Sequence, residues 1–273
     1  MAKMVRCAVV GNPVAHSLSP QIHQHFAAQA GLSLTYEKIQ GDSQHFESQV
    51  ENFFNEGGRG LNITLPFKTR AFAMAKVTTS RCAEAKAANT LWMQAGLLHA
   101  DNTDGIGLIR DLKHYIDLSN KTILLLGAGG AARGVLGPLL AAPIARLTLV
   151  NRTIERAYAL KSDFPQIICL PMMALKEPFD VIINATSASL TDDDVGLPPF
   201  LIHKDTLCYD LAYSSRKTSF VSFALMRGCV GVDGLGMLVE QAAEAFVIWH
   251  GFRPETSEIL RDLKQKLHYF NNC

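Results

Sequence analysis

TILLLGAGGAAR, residues 122–133, decides the fold. Its first five residues are Thr122 and an unbroken apolar run from Ile123 to Leu126, as expected of a strand buried on both faces of a parallel sheet. That run passes directly into Gly127-Ala128-Gly129-Gly130-Ala131-Ala132, which fits G-x-G-x-x-G/A with Ala132 in the last place. A helix-like stretch follows to Ala142. Gly127 permits the tight turn, Gly129 lets the backbone approach a pyrophosphate, and Ala132 lets helix and strand pack closely. The helix N-terminus turns its free N–H groups and partial positive charge toward the anion. Glycines mark many turns that bind nothing, but the strand before and the helix after them favour a dinucleotide site.

Downstream, Arg146 to Val150, Ile167 to Leu170, Val181 to Ile183, Thr206 to Leu211 and Cys229 to Val232 read as further strands, with a helix from Thr153 to Asp163. Six strands with intervening helical or loop segments match the doubly wound, Rossmann-type plan. A unit that binds NAD usually carries Asp or Glu about 20 residues past the glycines, on the ribose hydroxyls. Here the second strand ends in Asn151-Arg152-Thr153, with Arg156 a turn later and no acid at the tip. Arginines at a helix start gain nothing from the helix dipole, whereas a guanidinium pairs well with a 2′-phosphate. The expected cofactor is therefore NADP.

Upstream, strand-like and helix-like segments alternate, which implies a mainly parallel sheet. Val5 to Val10 stops at Gly11-Asn12-Pro13, and a helix is expected from Ser19 as N-cap with Pro20 at its first position. Leu34 to Ile39 reads as a strand, Phe46 to Asn55 as a helix and Gly60 to Thr64 as a strand, and Pro66 is expected to start a helix. Between Asn89 and Asp104, apolar runs flank Gln94-Ala95-Gly96 as in a hairpin. The last strong helix spans about Leu235 to Trp249, and an amphipathic segment covers Glu255 to Leu267.

Several polar groups sit at strand ends, where open α/β sheets place their ligands. Lys68 falls in the first turn of the helix after Pro66. The positive end of a helix is an odd place for an ammonium, unless that group must give up and regain a proton. A surface lysine is the plainer alternative. Asp104 suits either a helix N-cap or a partner that orients Lys68. Ser17 and Ser19, one residue apart, can point two hydroxyls at one carboxylate. His16, His23 and His25 lack the companions and spacing of a zinc site, so no metal is expected.

The 273 residues suffice for two domains, with nearly half of them apolar and a formal net charge of +1. That charge gives no electrostatic case for nucleic acid or an anionic membrane as partner. No stretch approaches the length of a membrane helix, and the start lacks a signal-peptide core. Six scattered cysteines without a C-x-x-C pair read as reduced thiols of a cytoplasmic protein.

Taken together, GNPVAHSLSP (11–20), NITLPFK (62–68), AANT (87–90), DNTDG (101–105), GAGGAAR (127–133), NRT (151–153), NATSAS (184–189), YDLAY (209–213) and DGLGMLVEQAAEAF (233–246) resemble the shikimate dehydrogenase family in their order along the chain. The resemblance implies NADPH-dependent, reversible reduction of 3-dehydroshikimate to shikimate in chorismate and aromatic amino-acid biosynthesis, by a monomer or homodimer. It implies Lys68 and Asp104 as the catalytic pair. Ser17 and Ser19 would bind the substrate carboxylate, and Thr64, Asn89, Asp104, Tyr213 and Gln241 its other polar groups. Asn151, Arg152, Thr153 and Arg156 would surround the 2′-phosphate, Gly127, Ala128, Gly129, Gly130 and Ala131 the pyrophosphate. Leu211, Gly234 and Met237 would lie near the nicotinamide. The architecture implied is a substrate domain over 1–101 plus 238–273, a nucleotide domain over 102–237, and a cleft between them. Two positions depart from the family's habit of glycine, Lys86 and Ser189. A relative that also oxidises quinate or uses NAD, and a non-catalytic NADP sensor, are the alternatives.

Overall fold

The computed structural model describes residues 4–186, 188 and 196–269. The chain divides into two compact units, Met1–Gly107 with Leu238–Ile259, and Leu108–Met237 with Leu260–Cys273. The first boundary thus falls after Gly107 rather than after Asp101, because Asp101 through Asp104 are hydrogen-bonded into the first sheet. Residues from Leu260 onward group with the second unit rather than the first. An amphipathic pattern shows which face is buried, but not against which core.

The first unit runs β1 (Val5–Gly11), α1 (Ser19–Gln29), β2 (Leu34–Gln40), α2 (Phe46–Asn55), β3 (Gly60–Ile63), α3 (Lys68–Met74), β4 (Val77–Thr78), α4 (Ser80–Ala85), β5 (Thr90–Gln94), β6 (Leu97–Asp101) and the start of α5 (Asp104–Leu112). Its six strands are ordered β2-β1-β3-β5-β6-β4, and β5 alone runs antiparallel to its neighbours. The period of two along β1 sends Ala8 and Val10 to a core with Phe46, Val50, Phe53 and Phe67, and Cys7 and Val9 to a core with Tyr36 and Trp249. The β5–β6 turn is two residues long, and both have positive φ, Ala95 at 51° and Gly96 at 74°. That backbone matches the twist of a hairpin.

In the second unit, β7 (Thr122–Leu126), α6 (Gly130–Ala141), β8 (Arg146–Val150), α7 (Ile154–Asp163), β9 (Ile168–Cys169), β10 (Val181–Asn184), β11 (Leu207–Asp210), α8 (Ser219–Leu225) and β12 (Val230–Val232) form a wholly parallel sheet with its helices. Its order, β12-β11-β10-β7-β8-β9, is the doubly wound order with the switch point beside β7. Ile123 and Leu125 face one core and Leu124 and Leu126 the other, which is why β7 is apolar from Ile123 onward. Helix α9 (Leu235–His250) begins in this unit and continues into the first, and α10 (Ser257–Tyr269) follows it. In the first unit Trp249 of α9 lies where a Cβ at Gly60 would come within 2.3 Å of its ring. Arg59 donates twice to the Trp249 carbonyl, at 2.7 and 3.0 Å.

Two helix starts differ from those read in the sequence. Helix α1 is capped by Leu18 without a side-chain bond, and Ser19 is its first residue. Pro66 precedes α3, which is capped by Phe67 and begins at Lys68. In both places the proline sets the neighbouring backbone but lies one or two residues from the expected site. Lys86, one of the two departures noted above, ends α4 in the left-handed region at φ 47°. Ser189 lies outside the described residues, as does Cys273; the five described cysteines are buried and free.

Lys86→Gly should relieve the left-handed backbone and raise stability by roughly 0.5–1 kcal/mol after glycine's own entropy is counted. Thermal unfolding of the two proteins checks this, and an unchanged or lowered midpoint would sink it. A second expectation concerns His23, fully buried against Tyr36 at 4.5 Å and Trp249 at 5.3 Å, with the Asn62 side chain opposing its pKa shift only weakly. Burial first, and then His250, lower its pKa from 6.5 to about 3. The unfolded chain therefore binds this proton more readily, so the stability is complete above about pH 6.5 and is lost as the pH falls toward 3. At pH 5 the loss is roughly 2 kcal/mol. His23→Phe should flatten the pH dependence of the unfolding midpoint between pH 7.5 and 5, and an unaltered slope would refute this account.

Candidate active site

In the first unit the site is built where strand ends meet helix starts. Lys68 opens α3 and Asp104 opens α5, and Lys68 Nζ donates to Asp104 Oδ2 at 2.5 Å. Their side chains are only 13% and 7% exposed, so both charges depend on each other for solvation. The other carboxylate oxygen of Asp104 accepts from Asn89 Nδ2 at 2.8 Å. Asp104 is therefore a partner of Lys68, as one of its two sequence readings held.

Asn89 precedes β5 and gathers the rest. Its Nδ2 also lies 2.9 Å from Thr103 Oγ1 and 3.2 Å from Gln241 Oε1. Its Oδ1 accepts from the Thr103 N–H at 2.8 Å, which fixes the orientation of the amide. Gln241, on α9, is fixed likewise by Nε2 donating to the Leu238 carbonyl at 2.8 Å. Lys68, Asn89, Asp104 and Gln241 thus belong to one hydrogen-bonded group.

The serines join it by a route that the sequence did not disclose. Ser17 Oγ donates to Ser19 Oγ at 3.1 Å, and the Ser19 N–H donates to Ser17 Oγ at 3.3 Å. The Tyr36 hydroxyl is pushed far above its usual pKa by burial and by Cys7, and a hydrogen bond with Ser19 acts in the opposite sense. Tyr36 donates to Asn62 Oδ1 at 2.6 Å, and Asn62 Nδ2 donates to the Asn89 carbonyl at 3.1 Å. Thr64 follows β3, and a Cβ at Gly11 would come within 2.2 Å of its methyl, so the loop bearing the serines must cross there with no side chain. Tyr36, Asn62 and Thr103 were not singled out from sequence. For Tyr36 and Asn62 the signal was a buried polar residue at an inward strand position, legible only once the strand register is known, whereas Thr103 lies in the buried link between β6 and α5.

The second unit holds the remaining expected residues. Gly127 has φ 102°, and a Cβ there would lie 3.0 Å from the Ala185 carbonyl oxygen. At Gly129 and Gly130 a Cβ would meet nothing within 4 Å, so this face of the turn is open at the start of α6. Open backbone at a helix N-terminus fits a pyrophosphate. Ala128 and Ala131 belong to the same turn. Asn151 has its side chain committed to the protein, accepting from the Ala128 N–H at 3.1 Å and donating to the Thr153 carbonyl at 2.7 Å. It joins the end of β8 to the glycine turn. Arg152, Thr153 and Arg156 are exposed beyond it, and two guanidiniums with no acid between Asn151 and Thr153 fit a phosphorylated ribose. The Gly234 N–H donates to the Ala212 carbonyl at 3.0 Å, and a Cβ at Gly234 would lie 2.3 Å from the Leu211 carbonyl, so these two segments touch. Met237 is buried in this unit's core, and Tyr213 is half-buried in the segment after β11. Among the described residues no group of three or more His, Cys, Asp or Glu could hold a metal, and no helix is long and apolar enough to cross a membrane.

Comparison with known proteins gives concordant results. Residues 9–91 match the family model for the shikimate dehydrogenase substrate binding domain, 110–192 that for shikimate / quinate 5-dehydrogenase, and 234–264 that for the shikimate 5'-dehydrogenase C-terminal domain. The shikimate dehydrogenase (NADP(+)) of Legionella pneumophila strain Lens is 56% identical over 260 residues, covering 95% of this chain and 98% of the relative. An Ael1 enzyme from Pseudomonas putida superposes with a TM-score of 0.89 at 44% identity, covering 95% of this chain and 98% of that one. Shikimate 5-dehydrogenase from Thermus thermophilus, in complex with NADP(H) and shikimate, gives 0.87 at 33% identity, covering 96% and 99%. By sequence and by structure, then, this chain belongs to the shikimate dehydrogenase family.

Proposed function

We propose that this chain catalyses the NADP-dependent, reversible reduction of 3-dehydroshikimate to shikimate, within chorismate and aromatic amino-acid biosynthesis. The observation that carries the reading is the nearly buried Lys68–Asp104 pair, set among neutral hydrogen-bonding side chains. Bound NADPH supplies the hydride that such a reduction requires. Lys68 supplies the proton: an ammonium has three N–H donors, and the bond to Asp104 takes one of them. As negative charge develops on the ketone oxygen, a second N–H donates to it and the proton passes across, leaving a neutral amine that solvent reprotonates. In the oxidative direction the neutral amine removes the hydroxyl proton.

Asp104 holds Nζ in place and accepts from the hydroxyl being formed or consumed. Asn89 and Gln241 present amide groups to the ring hydroxyls, and Thr64 and Tyr213 add hydroxyls. Ser17 and Ser19 read the carboxylate as neutral donors. Gly127 to Ala131 hold the pyrophosphate through backbone N–H groups. Arg152, Thr153 and Arg156 receive the 2′-phosphate, with Asn151 shaping that loop from behind, while Leu211, Gly234 and Met237 border the nicotinamide. Buried free thiols suit the reducing cytoplasm.

Following cofactor absorbance with shikimate and with quinate, each with NADP+ and with NAD+, tests the whole reading. Activity confined to shikimate with NADP+ is expected. Comparable rates with quinate or NAD+ would make this a relative of broader use, and inactivity of folded, NADP-binding protein would leave a sensor. Lys68→Ala should lower turnover by about 10²–10⁴ in the folded protein while changing shikimate KM far less; near-normal turnover would remove Lys68 from the chemistry. Arg152→Ala should raise the KM for NADP+ about tenfold and leave that for NAD+ unmoved. Equal effects on both cofactors would take Arg152 away from the 2′-phosphate.

A further inference from the structure

Behind the polar group of the first unit lies a second, ionic cluster that the mechanism does not use. Its centre is Arg81 on α4. Arg81 Nε donates to Asp101 Oδ1 at 2.8 Å and Nη2 to Asp101 Oδ2 at 2.6 Å, a two-pronged pair with a carboxylate that is 3% exposed. The same Nη2 lies 3.1 Å from Glu244 Oε1 on α9. Arg81 therefore ties the end of β6 to α9.

Each tied element carries part of the site. Asp101 ends β6, three residues before Asp104. Its carboxylate also accepts from Thr79 Oγ1 and from the Asn102 N–H, each at 2.6 Å, and its carbonyl accepts from the Asn89 N–H at 3.0 Å. Asp101 thus sets both the run leading to Asp104 and the backbone of Asn89. Glu244 stands three residues past Gln241 on α9, about one helical turn on. It is braced on its other side by Arg253, at 2.9 Å, which also reaches Glu240 at 3.2 Å. Where Gln241 meets Asn89, the bond spans these two elements at 3.2 Å.

We propose that Arg81 is a positioning residue: it sets the spacing between the Asn89–Asp104 segment and Gln241, and so the fit of the site to the hydroxyls of its polyhydroxylated ring substrate. This rests on the reading of the site given above. The plain alternative is an ion cluster that only stabilises the fold. Buried and half-buried pairs are weak sources of stability, whereas a planar fork shared between two carboxylates fixes a distance. Lysine keeps the charge but has a single nitrogen, so it cannot reproduce the fork on Asp101 while also reaching Glu244.

The test compares the unaltered enzyme with Arg81→Lys and Arg81→Ala, assayed with shikimate and NADP+ on protein shown to be folded by circular dichroism. Arg81→Lys should raise shikimate KM roughly fivefold to tenfold with KM for NADP+ held within about twofold. Arg81→Ala should show the larger defect, and added guanidinium ion should restore much of the lost affinity. Should Arg81→Ala not fold, Arg81→Lys decides alone. Shikimate KM and kcat both within about twofold of the unaltered enzyme in Arg81→Lys, whatever its melting temperature, would overturn the proposal and leave a structural cluster. An unaltered enzyme that does not turn over shikimate would instead overturn the reading of the site, and this proposal with it.

Discussion

The first unit depends on one buried amide. Asn89 is 3% exposed, and its Nδ2 has two hydrogens for three acceptors, from Asp104, Thr103 and Gln241. The shortest of the three goes to Asp104, the only one of these partners that carries charge, in keeping with the greater strength of charge-assisted bonds. Thr103 can ease the shortage by turning its own hydroxyl toward Gln241 Oε1 at 3.3 Å. The roles of Gln241, Asp104 and Lys68 follow from this choice. With the amide turned so that Oδ1 faces the Thr103 N–H, Gln241 must present oxygen, Asp104 must remain an acceptor, and its second oxygen is left for an ammonium. Lys68 is that ammonium. A neutral residue in its place would leave Asp104 buried with a single neutral donor.

That dependence explains what the sequence could and could not disclose. The second unit was legible almost throughout, because its information is local. A strand with four consecutive apolar residues, a glycine turn and a helix lie end to end in residues 122–142, and the turn's chemistry belongs to the backbone. The ends of most strands that were read fell within a residue or two, as apolar runs allow, while the two-residue β4 went unread. Short helices such as α4 and α8, of six and seven residues, have too few turns to display a periodicity. The first unit's polar layer is another matter. Tyr36, Asn62 and Asn89 are separated by 26 and 27 residues, and Arg81 and Glu244 by 163. Nothing about Tyr36 within Leu34–Gln40 distinguishes it from an ordinary aromatic of a strand. It becomes informative only when the parallel register of β1 and β2 sets it opposite Cys7, on the face that carries Asn62.

The shifted helix starts have the same origin. Capping rules read Ser19 and Pro66 correctly as marks of helix beginnings, but each rule scores one residue in isolation. In the folded chain the Ser19 side chain has other partners, Ser17 and Tyr36. A hydroxyl spent on capping would be withdrawn from them, and the helix start has moved one residue earlier. Lys68 is a sharper case. It occupies the first position of α3, where the backbone favours an anion, and Asp104 supplies that anion from another helix's first turn. Two helix starts thus face each other through a Lys–Asp pair, with the carboxylate favoured by its own helix and the ammonium held mainly by the carboxylate.

Under the proposed function the two units meet an anionic ligand in different ways. The second uses the backbone: open glycines, a helix N-terminus and two exposed guanidiniums, a design that tolerates change in most neighbouring side chains. In the function proposed above, the first surrounds its ligand with neutral groups and keeps the Lys68–Asp104 ion pair for the reacting position. A carboxylate met by serine hydroxyls gains less binding energy than one met by an arginine, since charge-assisted bonds between two ions are the stronger kind. The gain is selectivity. A site of neutral donors and acceptors, each already committed in direction by its neighbours, discriminates among hydroxyl patterns because a misplaced hydroxyl leaves a buried polar group unpaired. Such a layer works only if its spacing is held from outside, which is why a rigid ionic cluster immediately behind it makes physical sense.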